Sequence, residues 1–127
     1  MLMQSTDAIH LLPALPSVWA TGSVTGLRAK GGFEITALQW EGGKVVKLTI
    51  TSRLGGNLRL RVPNPVRYSS GGLKNAKGSN PNPFYYVENI PDPVISADAR
   101  VPLPQFAETF AYDLQTKAGG VYEFVAK

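Results

Sequence analysis

The sequence contains no cysteine and a single histidine, His10. The missing thiols exclude disulfide bridges, a catalytic thiolate, a zinc knuckle and an iron–sulfur site, and one histidine excludes a multi-histidine metal centre. No apolar run approaches the roughly 20 residues that a membrane-spanning helix needs. The start of the chain, residues 1–7, also lacks the basic n-region of a signal peptide. We therefore expect no metal, no cofactor and no membrane partner.

Charged residues are scarce as well, at 17% of the chain, whereas the 127 residues include 13 glycines and 10 prolines. A chain of this length suits one domain. The many glycines and prolines favour short strands joined by turns and argue against a helical bundle.

The clearest strand pattern starts at Phe33. Residues 33–40 alternate between apolar and polar, with a phase slip at Ala37–Leu38 that predicts a bulge, and residues 41–43 are typical of a tight turn. In the next strand, residues 44–51, we expect Val46, Leu48 and Ile50 on one face. After a second glycine turn at residues 55–56, residues 57–62 alternate again. We predict a three-stranded antiparallel meander whose apolar face is covered by a second layer.

The rest of the chain is less regular. Residues 1–4 are interpreted as the end of a helix, and Pro13 and Pro16 make residues 9–16 an extended connector. We expect a surface loop at residues 69–83, a short strand at 84–87, and a proline-rich extended stretch up to Pro104. Two strands, at 109–114 and 121–126, complete the chain. The predicted fold is an all-β, jelly-roll-like antiparallel β-sandwich with a proline-rich N-terminal connector.

No motif assembles a catalytic centre. The nine carboxylates lie in turns or on presumed polar strand faces, and no acidic residue is placed to orient His10. The glycines between Gly22 and Gly32 match neither a P-loop nor a dinucleotide fingerprint. We predict no catalytic residue within this chain.

The residues alone are compatible with two binding functions. Basic side chains on or near the strands suggest a polyanion-binding stripe, but a net charge of +4 is mild and alternating arginines are typical of a solvated sheet face, so we expect no nucleic-acid partner. The stripe consists of Arg59, Arg61, Arg67, Lys74 and Lys77. Trp40, Tyr85 and Tyr86 could stack on sugars, which makes an autonomous carbohydrate-binding module the alternative function.

One segment of the sequence is specific enough to indicate a particular protein family. Residues 9–16, Trp19, Gly22–Val24 and residues 26–33 together resemble the junction between the catalytic helical barrel and the C-terminal β-domain of glycoside hydrolase family 95, the α-L-fucosidases. The resemblance continues to residue 62, whereas residues 63–127 fit in general character only. Lys30 stands where the family more often has Arg.

The resemblance implies that this chain is a noncatalytic accessory domain of an inverting α-L-fucosidase. The family's catalytic Glu and its Asn/Asp water-activating arrangement belong to the (α/α)6 barrel, and no position here matches them. It implies a remnant of the connector at residues 1–16, a β-sandwich domain at residues 17–127, and a periplasmic or secreted location. The expected partners are the barrel of the same parent chain and, through the parent, a fucosylated glycan. The residues expected to dock on the barrel are Leu11, Leu12, Pro13, Leu15, Trp19 and Arg28.

Overall fold

A computed structural model of the chain describes all 127 residues and contains eleven β-strands in two sheets. The strands are β1 (Met3–Ser5), β2 (Ile9–Leu11), β3 (Gly22–Val24), β4 (Leu27–Ala29), β5 (Phe33–Glu41), β6 (Lys44–Ser52), β7 (Gly56–Val62), β8 (Val66–Tyr68), β9 (Lys74–Asn75), β10 (Phe110–Thr116) and β11 (Val121–Ala126). Short 3-10 turns at Ser17–Trp19, Lys30–Gly32 and Pro83–Tyr85 are the only helical segments. The all-β prediction is confirmed.

The two sheets form a sandwich around one core. The first sheet has the strand order β1–β2–β7–β10–β9, and the second has the order β3–β5–β6–β11–β8, with β4 pairing beside β3 on the outer edge of β5. Every pairing is antiparallel except that of β2 with β7. A cluster of 19 buried apolar residues from both sheets fills the space between them. The predicted antiparallel sandwich is confirmed, and its second layer covers the apolar face.

Strands β5 and β6 form the hairpin that the sequence predicts. Gly42 and Gly43 adopt positive φ angles of 56° and 71°, as a two-residue hairpin turn requires. The pairing shifts between Ile35 and Ala37, one residue before the predicted bulge, and again beside Val46. The second shift turns Val46 toward solvent and buries Val45 instead, so the predicted position of Val46 on the apolar face was wrong.

The predicted three-stranded meander was also wrong, because β7 crosses to the other sheet. Strand β6 pairs with β5 on one side and with β11 on the other, and β7 pairs with β10. The two crossover connections meet at one corner, where Thr116 Oγ1 lies 3.0 Å from Ser52 Oγ and 2.7 Å from the Gly56 carbonyl. These buried polar contacts join the end of β6 to the start of β7.

The chain start differs from the prediction. Residues 3–5 form β1 rather than the end of a helix, and the connector contributes β2, which pairs with β1 and with β7. Ile9 and Leu11 are buried because alternate residues of β2 face the core.

Residues 84–87 do not form the predicted strand. Residues 84 and 85 instead belong to the 3-10 turn Pro83–Tyr85, which is capped by Asn82, whose side-chain oxygen accepts a hydrogen bond from the Phe84 amide at 3.1 Å. The proline-rich stretch is without strands, as predicted.

Candidate docking surface and ligand groove

An ion pair between Arg59 and Asp113 lies on the outer face of the first sheet, under the loop that follows β9. Arg59 and Asp113 face each other on β7 and β10, and two N–H groups of Arg59 donate to the two carboxylate oxygens at 2.8 Å each. Arg59 also donates to the carbonyls of Lys77 and Gly78, which fixes the loop that follows β9 over the sheet. The Arg59 side chain is only 6% exposed. The expectation of a solvated face was therefore wrong at Arg59.

The pKa of Asp113 is lowered by this environment. Burial alone raises it, but hydrogen bonds from Arg59 and Asn57 and the charge of Arg59 outweigh burial and hold the pKa below its ordinary value. Because its charge is paired, Arg59 contributes no free positive charge to a polyanion site. Arg67, on β8, belongs to the other sheet. The basic residues considered above do not form one stripe.

The segment that carries Trp19 is held rigidly. Trp40 is 5% exposed, and its indole N–H donates to the Trp19 carbonyl at 2.7 Å. Gly22 leaves room for the Trp40 ring, since a Cβ there would lie 2.5 Å from ring atom Cζ2. The Trp19 backbone is fixed in this way, while its own indole is 52% exposed beside the still more exposed Val18.

The residues expected to dock on a barrel fall into different environments. Leu11 and Leu12 are buried in the domain's own core, so their side chains are not available at the surface. Pro13 and Leu15 are half-buried, and Trp19 is exposed. Pro13–Ser17, together with Gly42 and Gly43, borders a shallow groove of about 420 Å³. We call Pro13, Leu15, Val18 and Trp19 the Trp19 face.

Arg28 lies away from the Trp19 face. Its strand β4 pairs with the beginning of β5, where Arg28 faces Glu34, whereas Trp40 lies near the end of β5. Six residues along a strand span about 20 Å. Arg28 is exposed but belongs to a different part of the surface.

The predicted sugar-stacking residues do not form one exposed platform. Tyr85 is 3% exposed, donates its hydroxyl hydrogen to the Lys30 carbonyl at 2.8 Å and packs on Phe33. Since Phe33 and Trp40 are seven residues apart on β5, Tyr85 and Trp40 lie about 23 Å apart along the strand. Burial raises the pKa of Tyr85. Tyr86 is exposed.

Residues 86–108 form a long arm over which no residue is buried and no strand is present. Its large apolar side chains are all exposed: Tyr86, Val87, Ile90, Val94, Ile95, Val101, Leu103 and Phe106. This concentration of exposed apolar side chains makes the arm a candidate for contact with another surface.

A groove of about 410 Å³ lies where the arm returns to the sandwich. It is lined by His10, Leu12, Pro13, Arg61, Pro63, Phe106, Ala107, Glu108 and Thr109. Arg61 donates to the Thr109 hydroxyl at 3.2 Å and lies 3.8 Å from the Asp7 carboxylate. Burial and the positive charge of Arg61 lower the pKa of His10. Both effects favour the uncharged form of the imidazole.

The structure also bears on metal binding and on membrane crossing. The chain has no group of three or more His, Asp or Glu side chains arranged to hold a metal ion. None of its helical segments has the length and apolar character needed to cross a bilayer.

Comparison with known proteins identifies the domain. Residues 4–87, about two thirds of the chain, match the family described as "Glycoside hydrolase family 95, C-terminal domain". The chain belongs to this family. It is also 44% identical over 54 residues to "Alpha-L-fucosidase 2" of Arabidopsis thaliana, a match that covers 41% of this chain and 6% of that protein. This C-terminal family 95 domain thus spans a small fraction of the relative's length.

Some features of this family 95 domain lie inside the matched residues and others lie outside them. The Trp19 face and the groove residues His10, Arg61 and Pro63 lie inside the matched range, whereas most of the arm, including Phe106, lies beyond it. Sequence reasoning considered His10 and Arg61 separately and did not consider Phe106 or Glu108 as ligand-binding residues. A local pattern could not have brought them together, because their proximity depends on the pairing of β7 with β2 and β10.

Proposed function

We propose that this family 95 domain is the noncatalytic C-terminal accessory domain of an α-L-fucosidase and that it packs against the parent's catalytic (α/α)6 barrel. Membership of the C-terminal domain family is the observation that carries the proposal. The printed name of the Arabidopsis relative supports the activity assigned to the parent.

The absence of a catalytic role is supported by how the acidic side chains are used. Glycoside hydrolysis needs two carboxyl groups facing one another across a cleft. Here Asp113 is bound to Arg59, Glu34 to Arg53, and Asp7 lies next to Arg61. These three carboxylates are therefore paired with arginines.

Docking is supported by the Trp19 face and by residues 86–103 of the arm, which expose apolar side chains on an otherwise folded domain. The barrel of the parent chain is the occupant we propose, because a C-terminal domain is covalently joined to it. Burying the roughly 100 Å² that the Trp19 indole leaves exposed contributes about 2 kcal/mol to docking.

Enzyme assays with an aryl α-L-fucoside test both parts of the proposal. We expect no turnover by the 127-residue chain and full turnover by the parent enzyme. Trp19→Ser in the parent lowers the midpoint of thermal inactivation, because about 2 kcal/mol of interdomain contact is lost, while the same substitution leaves the unfolding midpoint of the 127-residue chain unchanged. The substitution keeps the backbone contact of residue 19, whose carbonyl accepts the hydrogen bond from the Trp40 indole.

Val121→Ser is the matched control, because Val121 is exposed to a similar extent at the start of β11 and lies outside the Trp19 face. Turnover by the 127-residue chain would refute the noncatalytic role. An equal effect of Trp19→Ser and Val121→Ser on the parent would refute docking through the Trp19 face.

A further inference from the structure

The groove beside His10 combines unused polar groups with an apolar wall. His10 makes no side-chain hydrogen bond within the chain, and Glu108 makes no ion pair, although both line the groove. No buried side-chain nitrogen or oxygen atom lacks a partner, so the imidazole nitrogens of His10 are open to a ligand or to solvent. Arg61 provides additional N–H donors at the same place.

The apolar wall is unusual for its exposure. Phe106 is 86% exposed, and Pro13 and Pro63 lie across the same groove. A phenyl ring left in water at the mouth of a groove offers a flat surface on which a ligand with an apolar face can stack. The volume of about 410 Å³ lies within the range of small-ligand sites.

The charges select against several ligand classes. Glu108 in the groove and Asp7 beside Arg61 oppose a phosphate or sulfate group. Arg61 opposes a metal cation, for which the groove provides a single carboxylate and a single imidazole. A neutral ligand with several hydroxyl groups satisfies all three polar side chains, because hydroxyls donate to Glu108, accept from Arg61, and form hydrogen bonds with the imidazole nitrogens of His10.

We propose that this groove binds a neutral sugar residue of a glycan, with the apolar face of the sugar on Phe106 and its hydroxyls on His10, Arg61 and Glu108. The choice of an L-fucose-type sugar rests on the proposed function, since a 6-deoxy sugar adds a methyl group to the apolar face. The existence of the groove and its preference for a neutral polyol do not rest on it. The site differs from the platform of Trp40, Tyr85 and Tyr86 considered from the sequence.

Amide NMR titration of the 127-residue chain with L-fucose, D-galactose and a heparin oligosaccharide tests the proposal. We expect saturable shifts at residues 10, 61, 62 and 106–109 with a neutral sugar, and Phe106→Ala weakens binding about tenfold, as loss of one stacked ring would. Phe84→Ala is the matched control, because Phe84 is also an exposed phenyl ring but does not line the groove. Glu108→Gln gives a second test without altering the apolar wall.

Three results would overturn the proposal: no saturable shift with either sugar at roughly 100 mM, well above a millimolar Kd; equal weakening by Phe84→Ala and Phe106→Ala; or heparin binding more tightly than both sugars. The same titration of Trp19→Ser separates the two proposals, because docking through the Trp19 face can fail while sugar binding persists, and the reverse also holds.

Discussion

Individual side chains in this domain act through partners that are distant in sequence. Arg59 meets Asp113 across 54 positions, and Trp40 meets Trp19 across 21. In each case a buried donor finds an acceptor at 2.7–2.8 Å, which avoids the desolvation penalty of an unpaired polar group. The Trp40 contact has a second consequence, since it fixes the backbone that presents the exposed Trp19 indole.

The Arg59–Asp113 pair gives a prediction about stability. Asp113→Asn leaves the Arg59 guanidinium buried without its counter-charge, so we expect the free energy of unfolding at pH 7 to fall by about 2 kcal/mol. Urea unfolding monitored by tryptophan fluorescence measures it. Glu34→Gln is the control, because its partner Arg53 is largely exposed and an exposed pair stabilises little. Equal losses for the two variants would contradict the assigned role of burial.

The stabilisation that Asp113 provides depends on pH, because the pKa of Asp113 is lowered in the folded chain. The unfolded chain binds the proton more readily than the folded chain, so the stabilisation is complete above the ordinary Asp pKa and is lost as the pH falls through the folded-state value. The difference in stability between the original chain and Asp113→Asn should therefore narrow below about pH 4.

At the scale of secondary-structure elements, local pattern predicted the fold only where both partners are neighbours in sequence. The β5–β6 hairpin needs Gly42, Gly43 and two flanking strands, all within one window. The position of β7 depends on β10, about 50 residues later, and nothing near residues 56–62 indicates that partner. Strands β1 and β2 contain three residues each, which is too short for an alternation to be recognised. The sequence assigned Leu11, Leu12 and Trp19 to one docking segment, although both leucines are buried and Trp19 is exposed, because a leucine in the core and one in an interface look alike in sequence.

The arm gives a prediction at this scale. Replacing Ile90, Val94, Ile95 and Leu103 with serine leaves the unfolding midpoint of the 127-residue chain unchanged, because none of these side chains is buried in the sandwich. In the parent enzyme the same variant lowers the thermal midpoint if the arm covers part of the barrel. Differential scanning fluorimetry of both proteins makes the comparison. A large loss in the 127-residue chain would show that the arm packs on the sandwich itself.

At the scale of the whole molecule, the groove and the Trp19 face adjoin one another, since Pro13 borders both. A sugar held in the groove would therefore lie at the edge of the proposed interface with the barrel. A second, weak contact at that edge raises the effective concentration of a long glycan without changing the chemistry at the catalytic centre.

This arrangement predicts a substrate-dependent effect of Phe106→Ala in the parent enzyme. We expect kcat and KM for an aryl α-L-fucoside to stay unchanged, because a single fucosyl unit occupies the catalytic site alone. For a branched fucosylated glycan the KM rises several-fold, up to about the tenfold loss expected for one stacked ring, while kcat is retained. Phe84→Ala should change neither substrate's kinetics. If Phe106→Ala instead lowered kcat for both substrates, the ring would be stabilising the parent's active structure, since loss of a remote sugar contact changes binding of the long substrate and leaves the chemical step intact.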